Sequence, residues 1–420
     1  MKLTGSLVPP FTTSSGLGFS TDSTGRTRYF TINTESSVKF FEKIAIQQRD
    51  IQANMLGLYG LIPVGRDLKA RFASLTTPAH LFSRRSNGCV WTPVGATRSN
   101  LVEFNTCPIE YNGEECPDAI YGTCLERIFG AGNKARDLMG TEEGSALVMQ
   151  IMRRVMLGLG NSFSELVHFA KHPVIEQINS EGSYSTTPEK WARFYAQQMD
   201  SDCGGLITIL DDLAAKGHPG HTVSLPDGDF DANENYTGAE SGRSILDLLN
   251  ALVDAAQYEF KQWIDYGVTR DDGVQIWPVI KLTSKLYRAY EKYLEDTYTH
   301  LMPSYQYRLT LSDGTGQLIP GALKYHNMAV TRWDEVGWFD NITGATSHRA
   351  AILAPGVLGV AHDVDDLAQF DGMGMQFIQR LDAPWKGKIF MDTTLRWGAG
   401  IGDPDFITQA ANISLPDPVL

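Results

Sequence analysis

Residues 323–364 read LKYHNMAVTRWDEVGWFDNITGATSHRAAILAPGVLGVAHDV, and residues 377–407 read FIQRLDAPWKGKIFMDTTLRWGAGIGDPDFI. From Ala350 to Ala361 the chain is apolar and uncharged, interrupted only by Pro355-Gly356. Such a run, split by a turn pair, predicts two buried strands. From Lys388 to Trp397 the pattern changes to alternation. Ile389, Met391, Thr393, Leu395 and Trp397 fall on one face, and Asp392, Thr394 and Arg396 on the other. A period of two is what a half-buried antiparallel strand requires. Gly398, Gly400 and Gly402 follow, then Asp403-Pro404, and are expected to turn the chain where that strand ends.

Working upstream, residues 1–34 are rich in Ser, Thr and Gly and short of large apolar groups. Such a segment cannot bury enough surface to order itself and needs a neighbour. Ser36-Ser37 can cap a helix running to about Gly60, with Val38, Phe41, Ile44, Ile51 and Leu56 on its apolar side. Residues 76–130 hold Pro, Gly, Asn and Thr with short β-like runs such as Asn100–Phe104. They predict a long two-stranded loop reaching toward a partner. Residues 141–171 give the clearest helix, with Val148, Ile151, Met152, Val155, Leu159, Phe163 and Leu166 at helical spacing. Gly158 and Gly160 weaken it midway and His172-Pro173 ends it. Ser241 opens a second strong helix, lined by Ile245, Leu249, Leu252, Val253, Ala256, Phe260, Trp263 and Ile264. A strand over Val274–Leu282 and a third helix from Ser284 follow, the latter with Leu286, Tyr290, Tyr293, Leu294 and Leu301. Tyr305–Leu311 leads back into the strands quoted first.

This order, an arm, a helix, a long loop, a long helix, a mixed α/β region and a returning strand, resembles the major capsid proteins of tailed bacteriophages, with the Hong Kong 97-like fold. The likeness covers roughly residues 36–410 and is sharpest after Gln275. It rests on His348–Asp363 as apical strands and on Lys388–Ile407 as the strand that returns to the peripheral domain and closes on glycines and a proline. The resemblance implies an α+β fold in five parts. These are an N-terminal arm and helix (1–75), an extended loop (76–130), a peripheral domain (131–266) with its spine helix at 141–171, an apical domain (267–364), and the returning strand of the peripheral domain (365–420). It implies a structural subunit, not an enzyme, that self-assembles into hexamers and pentamers of an icosahedral capsid around double-stranded DNA. Its expected partners are further copies of itself, a portal, and scaffold or auxiliary capsid proteins. The expected location is the virion, after synthesis in the cytoplasm of a host bacterium. Some members cross-link a loop lysine to a neighbour's asparagine. No lysine lies between Lys69 and Lys134, so that bond is not expected here. The long charged scaffolding segment of some members has no counterpart at the N-terminal arm, which implies a separate scaffold or none. An encapsulin-type compartment shares the fold and is the alternative reading. A cytosolic enzyme with an unreadable site is the alternative from a different class.

Bulk properties agree with a folded domain large enough for a sizeable core. The 420 residues are 42% hydrophobic and 20% charged. The formal net charge of −13 argues against tight direct nucleic-acid binding, which needs clustered cations, but is compatible with enclosing DNA without sequence-specific contact. No stretch is apolar enough to span a bilayer and the first ten residues lack a secretory apolar core, so no membrane partner is expected. Cys89, Cys107, Cys116, Cys124 and Cys203 are odd in number, widely spaced and free of any Cys-x-x-Cys pair. This excludes the usual zinc frameworks and predicts reduced thiols. The clustering of the first four on the loop also suggests intersubunit disulfides after release into an oxidising medium.

No P-loop, His-Glu-x-x-His or Gly-x-Ser-x-Gly motif is present, and no cofactor is expected. Gly398-Ala399-Gly400-Ile401-Gly402 has no helix after it and is no dinucleotide site. His168 and His172, four apart at a helix end, are a candidate metal pair with only Glu165 nearby, or else simply cations favoured at a helix C-terminus. Asp227, Asp229 and Asp231 resemble the start of a calcium loop, but Ala232 replaces the turn glycine and Gly238 stands where the bidentate Glu belongs. A solvated acidic loop is the simpler account. His362, Asp363, Asp365 and Asp366 read as a polar strand-end turn, with no nucleophile or oxyanion donor beside them.

Overall fold

The computed structural model describes residues 17–21, 27–32, 57–63, 69–76, 98–115, 158, 162–173, 175, 203–223, 245–269, 274–298, 305–310, 316–334, 336, 348–362, 376–380 and 389–413. In chain order the first strands are β1 (Leu17–Thr21), β2 (Thr27–Ile32), β3 (Tyr59–Pro63), β4 (Lys69–Thr76), β5 (Arg98–Asn105) and β6 (Cys107–Glu115). A helical segment at 162–169 follows. Next come α1 (Leu206–Ala215), α2 (Ile245–Ala255), α3 (Tyr258–Tyr266), β7 (Val268–Thr269), β8 (Gln275–Ile276), β9 (Val279–Leu282) and α4 (Ser284–Tyr298). The remainder is strand: β10 (Gln306–Thr310), β11 (Gly316–Tyr325), β12 (Met328–Arg332), β13 (His348–Leu353), β14 (Leu358–His362), β15 (Gln376–Arg380), β16 (Ile389–Ile401) and β17 (Ile407–Ile413). The class is α+β, as expected.

The chain forms two units, both discontinuous in sequence. The first comprises residues 1–49, 107–164 and 362–397, and the second residues 50–106, 165–361 and 398–420. In the first unit the strands run β1-β2-β15-β16-β6, all antiparallel. The pairing of Ile389–Trp397 with Cys107–Glu115 is unbroken over nine residue pairs, from Ile389↔Glu115 to Trp397↔Cys107. β16 is thirteen residues long, about 43 Å of extended chain. Trp397 is fully buried, and Phe163 meets its ring edge-on at 6.4 Å.

The second unit is built on a six-stranded sheet ordered β10-β11-β12-β9-β13-β17. Only the β12–β9 pair is parallel. Its centre, Val279, Ile280 and Leu282 against Ala350–Leu353, is at most 1% exposed, which explains the uncharged run in the sequence. The two predicted strands on either side of Pro355-Gly356 are β13 and β14, with Gly356 in the left-handed region at φ 75°. They do not form a hairpin. β13 pairs with β9 and β17, whereas β14 lies between β16 and β3. The outer edge of β17 is met by the loop after α1: Gln409 N–H donates to Gly220 O (2.9 Å) and Val223 N–H to Gln409 O (3.3 Å). Covering a sheet edge in this way removes a template for unwanted strand pairing.

Three helices lie along this sheet. α4 packs on β12, β9 and β13 and on α2. α2 packs on β13 and β17, and α3 packs on α2 and on the turn Pro404–Phe406 that precedes β17. The layer therefore runs α4–α2–α3. Leu286, Tyr290 and Leu294 of α4 are at most 2% exposed, and Ile245, Leu248, Leu249 and Leu252 of α2 are fully buried. Phe260 and Trp263 clamp Phe406 edge-on at 5.9 and 5.5 Å. The buried phenols of α4 find acceptors, as they must: Tyr287 donates to Gly321 O and Tyr290 to Lys324 O, both at 2.8 Å.

Several expectations change. The helix placed up to Gly60 cannot reach that far, because Gly57 turns at φ 67° and β3 begins at Tyr59; residues 33–56 lie outside the described residues. The single helix expected from Ser241 to Ile264 is two. Gln257 is extended (φ −66°, ψ 159°) and starts α3 afresh, so hydrophobic periodicity carried across a break that has no Pro or Gly to announce it. The strand Val274–Leu282 is interrupted at Trp277-Pro278, since Pro cannot donate to a ladder. Of the long helix at 141–171, Gly158 and residues 162–169 are helical and the rest lies outside the described residues.

Candidate functional site

Two features of the second unit concentrate the unusual side chains: a polar cluster between helix ends, and a glycine trough at the root of a hairpin. The cluster begins where the 162–169 helix stops. Ala170 O accepts from Gly205 N–H (2.8 Å) and from Thr208 Oγ1 (3.0 Å), so a carbonyl orphaned at the helix end is satisfied by the start of α1. Lys171 then turns left-handed at φ 55°. Gly205 permits the approach: a Cβ there would lie 2.5 Å from the backbone carbonyl of His168.

His168 and His172 engage different partners. His168 Nε2 is 3.0 Å from Tyr59 Oη, and the His172 Nε2 lies 3.0 Å from Asp211 Oδ2. Asp211, on α1, also receives both arms of the Arg349 guanidinium from β13, Nη1 to Oδ1 and Nη2 to Oδ2, the latter at 2.7 Å. Arg349 is 4% exposed and His172 7%. Burial pushes the Asp211 carboxyl up, but hydrogen bonds from His172 and Arg349, with the Arg349 charge, outweigh it and hold the group below the usual carboxylate range. With both oxygens engaged, this constellation ties α1 and the 168–172 corner to the sheet and offers no free base for catalysis.

A second knot closes the same region. His221 is fully buried. Its Nε2 donates to Pro404 O (3.0 Å), while Nδ1 accepts from Gln409 Nε2 (3.1 Å), which also donates to Leu210 O (2.6 Å). Burial lowers its proton affinity, in keeping with a neutral ring whose two nitrogens are both committed. Among the described residues no group of three or more His, Cys, Asp or Glu could hold a metal ion. Asp227, Asp229 and Asp231 lie outside the described residues, as do Asp363, Asp365 and Asp366.

The glycines after Trp397 play a different part from the one expected. β16 runs through Gly398 and Gly400 to Ile401, so they do not turn the chain; the turn comes at Gly402-Asp403. They make room for Phe104. A Cβ on Gly400 would lie 2.5, 2.8 and 2.9 Å from three carbons of that ring, and one on Gly398 would lie 2.9 Å from Asn105 O. A Cβ on Gly359 would meet Ile62 at 2.9 Å and the Phe104 ring at 3.5 Å. Phe104 belongs to β5, which pairs with β4 in unbroken antiparallel register from Lys69↔Asn105 to Thr76↔Arg98. The two-stranded loop was expected over 76–130; this pair has its arms at 69–76 and 98–105, whereas Cys107–Glu115, within the expected span, pairs with β16, and residues 77–97 lie outside the described residues. The pair belongs to neither larger sheet. Its root carries Lys69 and Arg71 on Glu103 at 3.3 and 3.0 Å, exposed pairs of small worth.

The thiol expectation is corrected. Cys107 and Cys203 are each disulfide-bonded within one chain, because folding brings together cysteines whose spacing showed no motif. Cys203 Sγ, 3.5 Å from Asn105 O, accordingly has no proton to donate there. Cys89, Cys116 and Cys124 lie outside the described residues. Sequence reasoning also missed Arg349–Asp211 and Phe104. A lone Arg at the head of an apolar strand, and glycines two apart within an alternating one, were the available signals.

No protein-family model and no curated protein matches the chain. Among solved structures it is similar to a chain of the satellite phage P4 procapsid that includes the size determination (Sid) protein, with TM-score 0.48, 10% identity, and 91% and 92% of the two chains covered. It is similar also to the holo-SrpI encapsulin complex of Synechococcus elongatus PCC 7942 (TM-score 0.38, 11% identity, 90% and 92% covered). A third likeness is to the capsid of cyanophage P-SCSP1u (TM-score 0.38, 12% identity, 84% and 86% covered).

Proposed function

We propose that this chain is the shell-forming subunit of a tailed, double-stranded-DNA phage, assembling as hexamers and pentamers into an icosahedral capsid. The observation that carries the reading is the β4–β5 hairpin. Two eight-residue strands pair outside both larger sheets, with 21 residues joining their tips. A two-stranded ribbon is marginal alone and needs a further surface. A neighbouring subunit supplies it. The rest of the architecture supports the reading: a long strand returning after the buried apical-type strands, an N-terminal β1–β2 hairpin, and polar clusters in which His168, His172, His221 and Asp211 serve packing. In this account 1–75 is the arm and helix, 76–130 the extended loop, 131–266 with 365–420 the peripheral domain, and 267–364 the apical domain around the capsomer axis. Many weak contacts made by arm and loop sum to a stable closed shell. The shell encloses DNA without sequence-specific contact, works with a portal and with scaffold or auxiliary proteins, and is made in a bacterial cytoplasm.

The test replaces residues 77–97 by Asn-Gly, a two-residue connection that suits the Thr76↔Arg98 register. The shortened subunit should keep the thermal melt of the full chain and lose assembly. Shells formed as readily as by the full chain would refute the role of the hairpin.

A further inference from the structure

Three of the four large apolar side chains most exposed among the described residues fall within eleven residues: Tyr258 (67%), Tyr266 (73%) and Val268 (41%). Single exposed apolar groups are ordinary, but a cluster marks a contact surface. At about 100° per residue, Tyr258, Glu259, Gln262, Asp265 and Tyr266, all exposed, lie within an arc of about 120° on α3, opposite the buried Phe260 and Ile264. The arc holds two phenols, two carboxylates and no cation. Lys261, outside it, faces Asp254 at 3.6 Å. Asp265 stands in the last turn, where no base accompanies it and the helix dipole disfavours an acid. An acid that breaks this local rule without gain in its own fold is a place to look for a partner.

The same chain carries a segment of complementary chemistry. From Ala70 to Val102 there is no Asp or Glu, in a protein with 49 acidic residues and a net charge of −13. The cations of that stretch are Arg71, Arg84, Arg85 and Arg98. Arg71 is engaged by Glu103 at the hairpin root. The 21 residues joining the arms, 77–97, hold Arg84 and Arg85 with Leu81, Phe82 and Trp91. About 26 Å of extended strand separates these residues from the root seated over Gly398 and Gly400. Within one copy Tyr258 and Tyr266 stay uncovered, so the occupant of the face comes from a second copy. Resting on the shell-subunit reading, we propose that the α3 face of one copy receives the 77–97 segment of a neighbouring copy. The contact is heterologous, the kind that closes into rings. Tyr258 and Tyr266 supply the anchoring area and flat surfaces on which guanidinium groups stack. Glu259 and Asp265 take the charges of Arg84 and Arg85 and set the register.

The experiment uses the full chain, followed by sedimentation velocity and electron microscopy over a concentration series. Tyr258→Ser with Tyr266→Ser should raise the concentration for half assembly about 30-fold, with an unchanged melt. Glu259→Arg with Asp265→Arg, or Arg84→Glu with Arg85→Glu, should each raise it about 10-fold. All four reversals in one chain restore opposite charges at every contact and should bring assembly back to within about 3-fold of the parent chain. If the parent chain builds shells and the tyrosine and charge variants do so equally well, this docking is wrong and the shell reading stands. The docking is equally wrong if each charge pair weakens assembly and the fourfold reversal does not restore it. A parent chain that never assembles removes the shell reading and the docking with it.

Discussion

Gly400→Ala is the most informative single substitution, because the structure fixes both its sign and its partner. The new Cβ would stand 2.5 Å from Phe104 Cδ1, 2.8 Å from Cε1 and 2.9 Å from Cγ. Ordinary carbon contacts are about 3.5–4 Å, so the whole ring has to retreat by about 1 Å. The retreat also pulls it from the troughs at Gly398 and Gly359, and a gap of that size loses a quarter to a half of each contact's attraction. Overpacking of this kind costs about 1–3 kcal/mol. The lost backbone freedom of glycine in the unfolded chain offsets about 0.5–1 kcal/mol of that. The net expectation is a loss of about 1–2 kcal/mol. Phe104→Ala alone, at a half-buried site, should cost about 1–3 kcal/mol. With the ring gone, the added methyl has room and becomes neutral or mildly stabilising. Urea denaturation of the dissociated chain, arranged as a double-mutant cycle, should therefore give a coupling of about 1–3 kcal/mol. A coupling below about 0.5 kcal/mol, or an unimpaired Gly400→Ala, would refute the claim that these glycines seat the hairpin root.

Three further outcomes are expected. Arg349→Met leaves Asp211 half-paired in a largely buried site and should cost about 2–4 kcal/mol, reduced from the usual buried-pair value because that carboxylate side chain is 23% exposed; a urea-melt loss under about 1 kcal/mol would argue against the tie. The His348 ring, driven down to about 4 by burial and by the Lys285 charge, protonates near 6.5 when unfolded. The unfolded chain then binds more protons between those values, so stability should fall by up to about 3 kcal/mol as pH drops from 6.5 to 4 and hold steady above 6.5; His348→Gln should flatten that stretch of a stability–pH curve. Removing a disulfide with Cys203→Ala should lower stability by about 2–4 kcal/mol, and a reductant should then have less effect on the variant than on the parent chain.

How much of this was legible in the chain differs by element. β13 and β14 were readable because an uncharged run of that length leaves little choice but burial, and β16 because apolar and polar residues alternate from Met391 through Trp397. Their partners were not: β13 and β14 are adjacent in sequence yet belong to different ladders, and pairing between strands distant in the chain leaves no local mark. The α2–α3 break was hidden because Ala256 and Phe260 keep the apolar rhythm through an extended Gln257. The glycines at 398 and 400 were noticed but assigned to a turn, since nothing in sequence says that Phe104 lies over them. His168 and His172 were correctly placed at a helix end, while Tyr59 and Asp211, the groups that hold them, stand 109 and 39 residues away.

The account stands most directly on what the purified full-length chain does in solution. Sedimentation velocity over a concentration series, with electron microscopy of the fast-moving fraction, reads this. The account predicts closed polyhedral particles, or rings of five and six, built from this chain alone or with its scaffold. A folded chain that stays a monomer or dimer up to the highest soluble concentration, with and without scaffold, would contradict it.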